Sequence, residues 1–368
     1  MIIQLLYEYS MQSSDMIGKE AELYNNLPNG RIKCTACARL CEIPEGKVGL
    51  CGIRGVQNNK LRLFVYGKVI AGHIDPIEKK PVTHYRPGSS IYSIATTGCN
   101  WLCKYCQNYD ISQRRKTEGV EMSPLQVVDK AASVGAQGIA YTYNEPSIFI
   151  EFARDCGIEA HKKGIFNIFV SNGYDTPQSV SMMNTFLDCI TVDFKGSGKR
   201  EFVRQYIGIP NADPIFQSLK EIRDKTKIHV EITDLIVPGV GDDLVSARNL
   251  CKFVYEELGP DTPIHFLRFH PDYKMMEFND TPIETLEKHH AIAKQQGLRY
   301  AYIGNVPGHP LEHTYCPGCN NVAVERYGFS IISWNIDTKN QCKKCGYQIS
   351  IIGKLNKVKK NYFQIFDA

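Results

Sequence analysis

Cys99, Cys103 and Cys106 stand in the stretch TTGCNWLCKYCQNYDIS at a CxxxCxxC spacing, with Tyr105 just before the last of them. Three thiolates this close together can hold three corners of a [4Fe–4S] cube. The fourth iron is then left without a protein ligand, and an open position of this kind separates a reactive metal centre from a closed structural one. No other cysteine lies within forty residues, so the sequence offers no nearby fourth ligand. A zinc knuckle and buried core cysteines are the competing readings. Zinc prefers two CxxC pairs, and core cysteines do not gather behind a Thr-Thr-Gly turn, so both are weak.

Eight more cysteines form two sets of four. Cys34, Cys37, Cys41 and Cys51, in CTACARLCEIPEGKVGLCGIRG, supply four ligands for structural zinc or for an auxiliary iron–sulfur cluster feeding electrons to the first. Both readings stay open. Cys316 and Cys319 (CPGC) and Cys342 and Cys345 (CKKC) flank VAVERYGFSIISWNID, which reads as a β-hairpin. Two CxxC knuckles across such an insert make a zinc-ribbon site, with zinc expected, although rubredoxin-like iron would satisfy the same geometry. Cys156, Cys189 and Cys251 fall in helix or strand runs and read as small core residues.

These groups need a scaffold. From about residue 91 to 305, short β-branched and aromatic runs (IYSIAT, GIAYTY, FNIFVSN, CITVDF, HVEITDLIV, HFLRFH, LRYAYIG) read as buried parallel strands. Helical stretches between them open at Ser123-Pro124, Glu145-Pro146-Ser147, Thr176-Pro177, Asp213-Pro214 and Thr281-Pro282. Repeated βα units predict an α/β fold with a parallel sheet, open or curled into a barrel; periodicity does not choose. Three regions follow: a cysteine-rich region over 1–90, the βα region over 91–305, and a zinc-ribbon-like module with a basic tail over 306–368.

Polar residues cluster where strands end, the edge at which α/β folds place their chemistry. Glu145, in TYNEP, suits an ammonium group by charge, or opens the next helix. In VSNGYDT, Ser171, Asn172 and Gly173 can meet a ligand, and Asn-Gly is equally a common turn. Asp193 and Lys195, two apart on one strand, share a face. They suit ribose hydroxyls and a carboxylate, or a salt bridge at the rim. His270 and Asp272, in FHPDY, are candidate proton donors or orienting groups. Arg114-Arg115 reads as a solvated basic surface, and His73, His84 and His309 receive no role.

Length, at 368 residues, suits one large domain with appendages, and 43% hydrophobic and 22% charged residues fit a globular protein with a sizeable core. A net charge of +4 gives no argument for nucleic acid or membrane partners. Eleven of fourteen cysteines sit in sets with metal-ligand spacing, which points to a reducing compartment. With no signal-peptide pattern and no apolar run of spanning length, the expected location is cytoplasmic. A non-catalytic, metal-stabilised binding protein is the non-enzyme alternative, opposed by the near-neutral charge and the intact CxxxCxxC.

CTACARLCEIPEGKVGLCGIR, VYGKVIAGHIDPIEKKPVTHYRPGS, the CxxxCxxC loop, AYTYNEP, FVSNGY, VDFK, FHPDY and YIGNVPGHPLEHTYCPGC with the last CxxC together carry a family resemblance. The chain resembles the radical S-adenosylmethionine (SAM) enzymes of the AmmeMemoRadiSam system, relatives of the pyruvate formate-lyase activating enzymes. The likeness covers nearly everything beyond about Arg31, and the tail after Ile352 extends past it. It implies a partial (β/α)6 TIM-like barrel and a [4Fe–4S] cluster whose open iron chelates SAM. One electron then cleaves SAM, and the 5′-deoxyadenosyl radical abstracts hydrogen from a protein or small-molecule substrate. Implied SAM contacts are Glu145, Asn172, Asp193, Lys195 and Tyr105. Many relatives carry Gly-Gly-Glu-Pro where this chain has Tyr143-Asn144-Glu145-Pro146, so the glycines are absent while the acid and proline stay. Implied partners are a flavodoxin or ferredoxin-like electron donor and proteins of the AMMECR1 and Memo types. A glycyl-radical enzyme activase is the alternative activity.

Overall fold

The computed structural model describes residues 18–356; the N-terminal apolar run and the basic tail from residue 357 lie outside the described residues. An eight-stranded sheet organises the chain: β1 (Ala71–Pro76), β2 (Ser90–Ala95), β3 (Gly138–Tyr141), β4 (Phe166–Ser171), β5 (Cys189–Lys195), β6 (His229–Ile236), β7 (Ile264–Arg268) and β8 (Ala301–Gly304). Spatial order follows chain order, β2 to β8 run parallel, and β1 pairs antiparallel with β2 as an edge. The seven parallel strands are the seven apolar runs of the sequence. The antiparallel edge strand, AGHIDP, lies before residue 91 and still belongs to this sheet.

One sheet face packs inward as a small cluster around Ile91, Ala140, Ile168 and Cys189. Helices α1 (Pro124–Ser133), α2 (Ile150–Lys162), α3 (Pro177–Met183), α4 (Asp213–Lys225), α5 (Leu244–Phe253) and α6 (Ile283–Gln295) connect successive strands. Ser123 and Thr176 cap α1 and α3 with reciprocal capping boxes to Gln126 and Ser179. Thr281-Pro282 works differently. Helix α6 starts after Pro282, while Thr281 Oγ1 donates to Ile236 O at 2.6 Å and accepts from Phe269 N at 2.9 Å. It therefore ties the ends of β6 and β7 together.

The sheet does not close on itself, since β1 and β8 are its two edges. Residues 77–89 bridge the gap at the amino end of the strands. Backbone N–H groups of Thr83 and His84 donate to the Glu231 carboxylate on β6 at 3.0 and 2.7 Å, and His84 Nε2 lies 2.6 Å from the Tyr302 hydroxyl on β8. Burial pushes the Glu231 pKa up, but hydrogen bonds from His229 and His265 outweigh it and hold the group well below the usual range. The result is a partial barrel with a polar floor built around the Glu231 carboxylate.

Two small modules flank the barrel. At the C-terminal side, β9 (Thr314–Tyr315), β10 (Val322–Tyr327) and β11 (Ser330–Trp334) form an antiparallel sheet with a core of its own, which includes Val324, Ile336, Ile349 and the barrel's Tyr300 and Tyr302. On the N-terminal side, two three-stranded sheets share one continuous core with the barrel. Arg54 fastens this region: it donates to Ile148 O at 2.6 Å and forms a two-pronged, fully buried ion pair with Glu151 of α2. No helix among the described residues is long and apolar enough to cross a membrane.

Candidate functional site

Cys99, Cys103 and Cys106 occupy the loop after β2, at the carboxyl ends of the parallel strands. Backbone and side-chain bonds from neighbouring loops shape it. Asn144 Nδ2 donates to Gly98 O at 2.9 Å, Leu102 N and Lys104 N donate to Ile207 O and Tyr206 O at 2.9 Å each, and Lys274 N donates to Lys104 O at 2.8 Å. Loops following β2, β3, β5 and β7 thus hold one another, which is how a segment with little regular structure keeps three thiols in place. All three thiols are half-buried and lack disulfide partners. Burial pushes Cys103 up to about 12, with the charge of Cys106 adding to it and Lys195 opposing it. Without a bound cation such thiols stay protonated, and a metal would take them as thiolates. The donor chemistry fits an iron–sulfur cluster.

The other residues expected at this site fall around the loop with distinct partners. Glu145 is buried; it caps the turn Pro146–Phe149 by accepting from Ser147 N at 3.0 Å, and accepts from Ser171 Oγ at 2.9 Å and Asn172 N at 2.8 Å. Asn172 Nδ2 donates to Asn100 Oδ1 at 2.8 Å, inside the cysteine loop. Lys195 Nζ lies 3.1 Å from Asp193 Oδ2, and Thr233 donates to the other Asp193 oxygen. Burial lowers the Lys195 pKa, but Asp193 and the nearby Cys103 reverse this and raise it. Tyr105 is buried between Phe202 and Phe269, at 6.0 and 6.1 Å between ring centres. Asp272 is near enough for its charge to raise Cys106, whereas His270 is largely exposed and pairs with Asp280 at 3.1 Å.

Three participants escaped the sequence reading. Asn100 is buried between Cys99 and Trp101, and its Nδ2 has no hydrogen-bond partner. Gly98 adopts φ +87°, and an added Cβ would stand 2.5 Å from the Cys51 carbonyl oxygen. Asp175, buried next to Glu145, accepts from Ser147 and Ser179, and burial first and the Glu145 charge second push it up to about 8. Only Asn100 left a sequence signal, a carboxamide directly after Cys99. The other two depend on long-range packing.

The two four-cysteine sets differ in geometry. Cys316, Cys319, Cys342 and Cys345 bring their sulfurs within 4.8 Å of one another, with Cys316 to Cys345 at 3.6 Å and Cys319 to Cys342 at 3.8 Å. Tetrahedral thiolates about 2.3 Å from one ion stand roughly 3.8 Å apart. Cys34, Cys37, Cys41 and Cys51 line a small cavity with Arg54 and Asn100.

The Radical SAM superfamily model matches residues 93–253, from the middle of β2 through α5. An uncharacterized protein of Methanocaldococcus jannaschii is 40% identical over 338 residues, covering 91% of this chain and 99% of that protein. Among solved structures, a radical SAM methyltransferase from Sphaerobacter thermophilus aligns at 12% identity and a TM-score of 0.48, over 59% of this chain and 66% of its own. A domain of a pyruvate-formate lyase-activating enzyme from Bacteroides vulgatus aligns at 17% identity and a TM-score of 0.40, over 46% of this chain and all of its own. Neither structural likeness speaks to substrate or reaction. The sequence match across the three-cysteine loop and the parallel strands as far as α5 shows that this chain carries a radical SAM superfamily domain.

Proposed function

We propose that this protein reductively cleaves SAM and directs the resulting 5′-deoxyadenosyl radical at a hydrogen atom of a protein or small-molecule substrate. The observation that carries the reading is the strapped Cys99, Cys103 and Cys106 loop at the carboxyl ends of the strands, with the Lys195–Asp193 pair beside it. When bound there, a [4Fe–4S] cluster supplies a one-electron reductant and an iron open to the amino-acid end of SAM. Lys195 offsets thiolate charge and receives the SAM carboxylate, Asp193 takes ribose hydroxyls, and Glu145 takes the ammonium group. Asn172 holds Asn100 and so the cysteine loop, and Tyr105 with Phe202 and Phe269 keeps water from its inner side. Asp272 acts on Cys106 through its charge and is the nearer of the two candidate proton donors, and His270 is largely exposed on the rim.

The C-terminal four cysteines are assigned zinc, supported by their compact sulfur geometry. The regions 1–90, 91–305 and 306–368 are taken as the cysteine-rich, catalytic and zinc-ribbon-like parts, with β1 and residues 77–89 of the first region completing the catalytic barrel. A flavodoxin or ferredoxin-like donor supplies the electron, and AMMECR1-type and Memo-type proteins are the proposed partners, on the strength of the motif resemblance. The density of unpaired cysteines supports a cytoplasmic setting.

SAM titration of anaerobically reconstituted protein tests the site. Lys195→Ala and Asp193→Ala are expected to raise the SAM Kd by about tenfold or more, equivalent to ~1.4 kcal/mol, with iron content unchanged. Wild-type affinity in both variants would overturn the assignment of these residues.

A further inference from the structure

We propose that Cys34, Cys37, Cys41 and Cys51 hold a second [4Fe–4S] cluster rather than a zinc ion. The chain contains its own standard for a one-ion site. Among the described residues, the C-terminal four are the one set of three or more His, Cys, Asp or Glu side chains whose donor atoms all lie within 4.8 Å of one another. The N-terminal four gather around one cavity and do not share that compactness. A single ion draws four thiolates to a common centre, whereas a cube spreads them over four irons and keeps them further apart. Cys99, Cys103 and Cys106, the cluster ligands proposed above, also lack the one-ion compactness.

What lies between the N-terminal thiols agrees with this. All four line one cavity of about 10 Å³, walled beside the cysteines by Ile43, Leu50 and Ile148 and by Arg39 and Arg54. Four thiolates touching one ion leave no such space. Asn100 also lines the cavity; it is buried, and its Nδ2 donor has no partner. An unpaired buried donor is costly, and a bridging sulfide is an acceptor of the kind it lacks.

The placement joins two metal sites. Cys51 and Cys99 meet through Gly98, whose missing Cβ lets the Cys51 carbonyl approach, and Arg39 donates from its Nε to Asn100 O at 2.8 Å. Asn100 is therefore shared, following one cysteine of the three-cysteine loop and facing the other cavity.

The test uses full-length protein reconstituted anaerobically with iron and sulfide, with iron, acid-labile sulfide and zinc counted per chain. Sulfide counts clusters alone and excludes a rubredoxin-like iron. Wild type is expected to hold about eight irons, about eight sulfides and about one zinc. The Cys99→Ala/Cys103→Ala/Cys106→Ala variant should keep about four of each of the first two and show the paramagnetic signal of a reduced cluster with dithionite. About two zincs, with no iron or sulfide in the triple variant, would overturn the proposal. Should that variant not fold, Cys34→Ala/Cys41→Ala decides: sulfide falling from about eight to about four supports the second cluster, and an unchanged count refutes it. Deoxyadenosine formation is not the readout, so failure here leaves the SAM-cleavage reading standing.

Discussion

The C-terminal and N-terminal tetracysteine regions both begin with a CxxC pair, yet the fold treats them differently. The C-terminal set sits on a small core beside the barrel, its four sulfurs turned to one point. The N-terminal set is embedded in the main core, fastened by Arg54 to α2 and by Gly98 to the three-cysteine loop. Similar ligand spacing therefore serves a brace packed on the barrel's edge in one place and part of the site's foundation in the other. What surrounds the cysteines, more than their spacing, decides which.

The sharpest way to break this contrast is Glu151→Ala. It strands the buried Arg54 guanidinium and is expected to lower stability by about 3–5 kcal/mol, read as a shift in the urea midpoint. A change near zero would mean that the N-terminal region is not anchored as described. Next is Gly98→Ala. Its φ of +87° and the 2.5 Å approach to the Cys51 carbonyl should cost about 1–3 kcal/mol and lower bound iron. An unaffected iron count would separate the two cysteine regions. Smaller again, Cys316→Ser should release about one zinc while the barrel's main melting transition stays in place, whereas Cys34→Ser should lower that transition. Equal shifts in the two variants would erase the distinction.

A pH dependence is also expected. Asp175, pushed up to about 8 by burial and then by Glu145, has a folded-state pKa above its unfolded value near ~4. Its contribution is then full below about 4 and lost as pH rises through about 8. Stability measured against pH should fall more steeply over that window in wild type than in Asp175→Asn. Parallel curves would show that Asp175 ionises normally.

Much of this architecture was legible in the residues. The seven parallel strands are largely buried and so read as nearly continuous β-branched and aromatic runs, and Ser123 and Thr176 announced their helices through local capping. Strand β1 was not legible, because AGHIDP is largely exposed and carries Gly and Pro. Residues 77–89 gave no signal either, since their role as a floor comes from Glu231 and Tyr302, far along the chain. At the site, cysteine spacing is a local property and was readable. The pairing of Asn172 with Asn100, the exposure of His270 and the closeness of Cys51 to Gly98 are long-range and were not.

The central claim is tested most directly by quantifying 5′-deoxyadenosine from SAM and dithionite, in wild type and in Cys99→Ala, Cys103→Ala and Cys106→Ala. The account predicts product from the wild type and none from each folded variant. Product retained by any one of the three would contradict it.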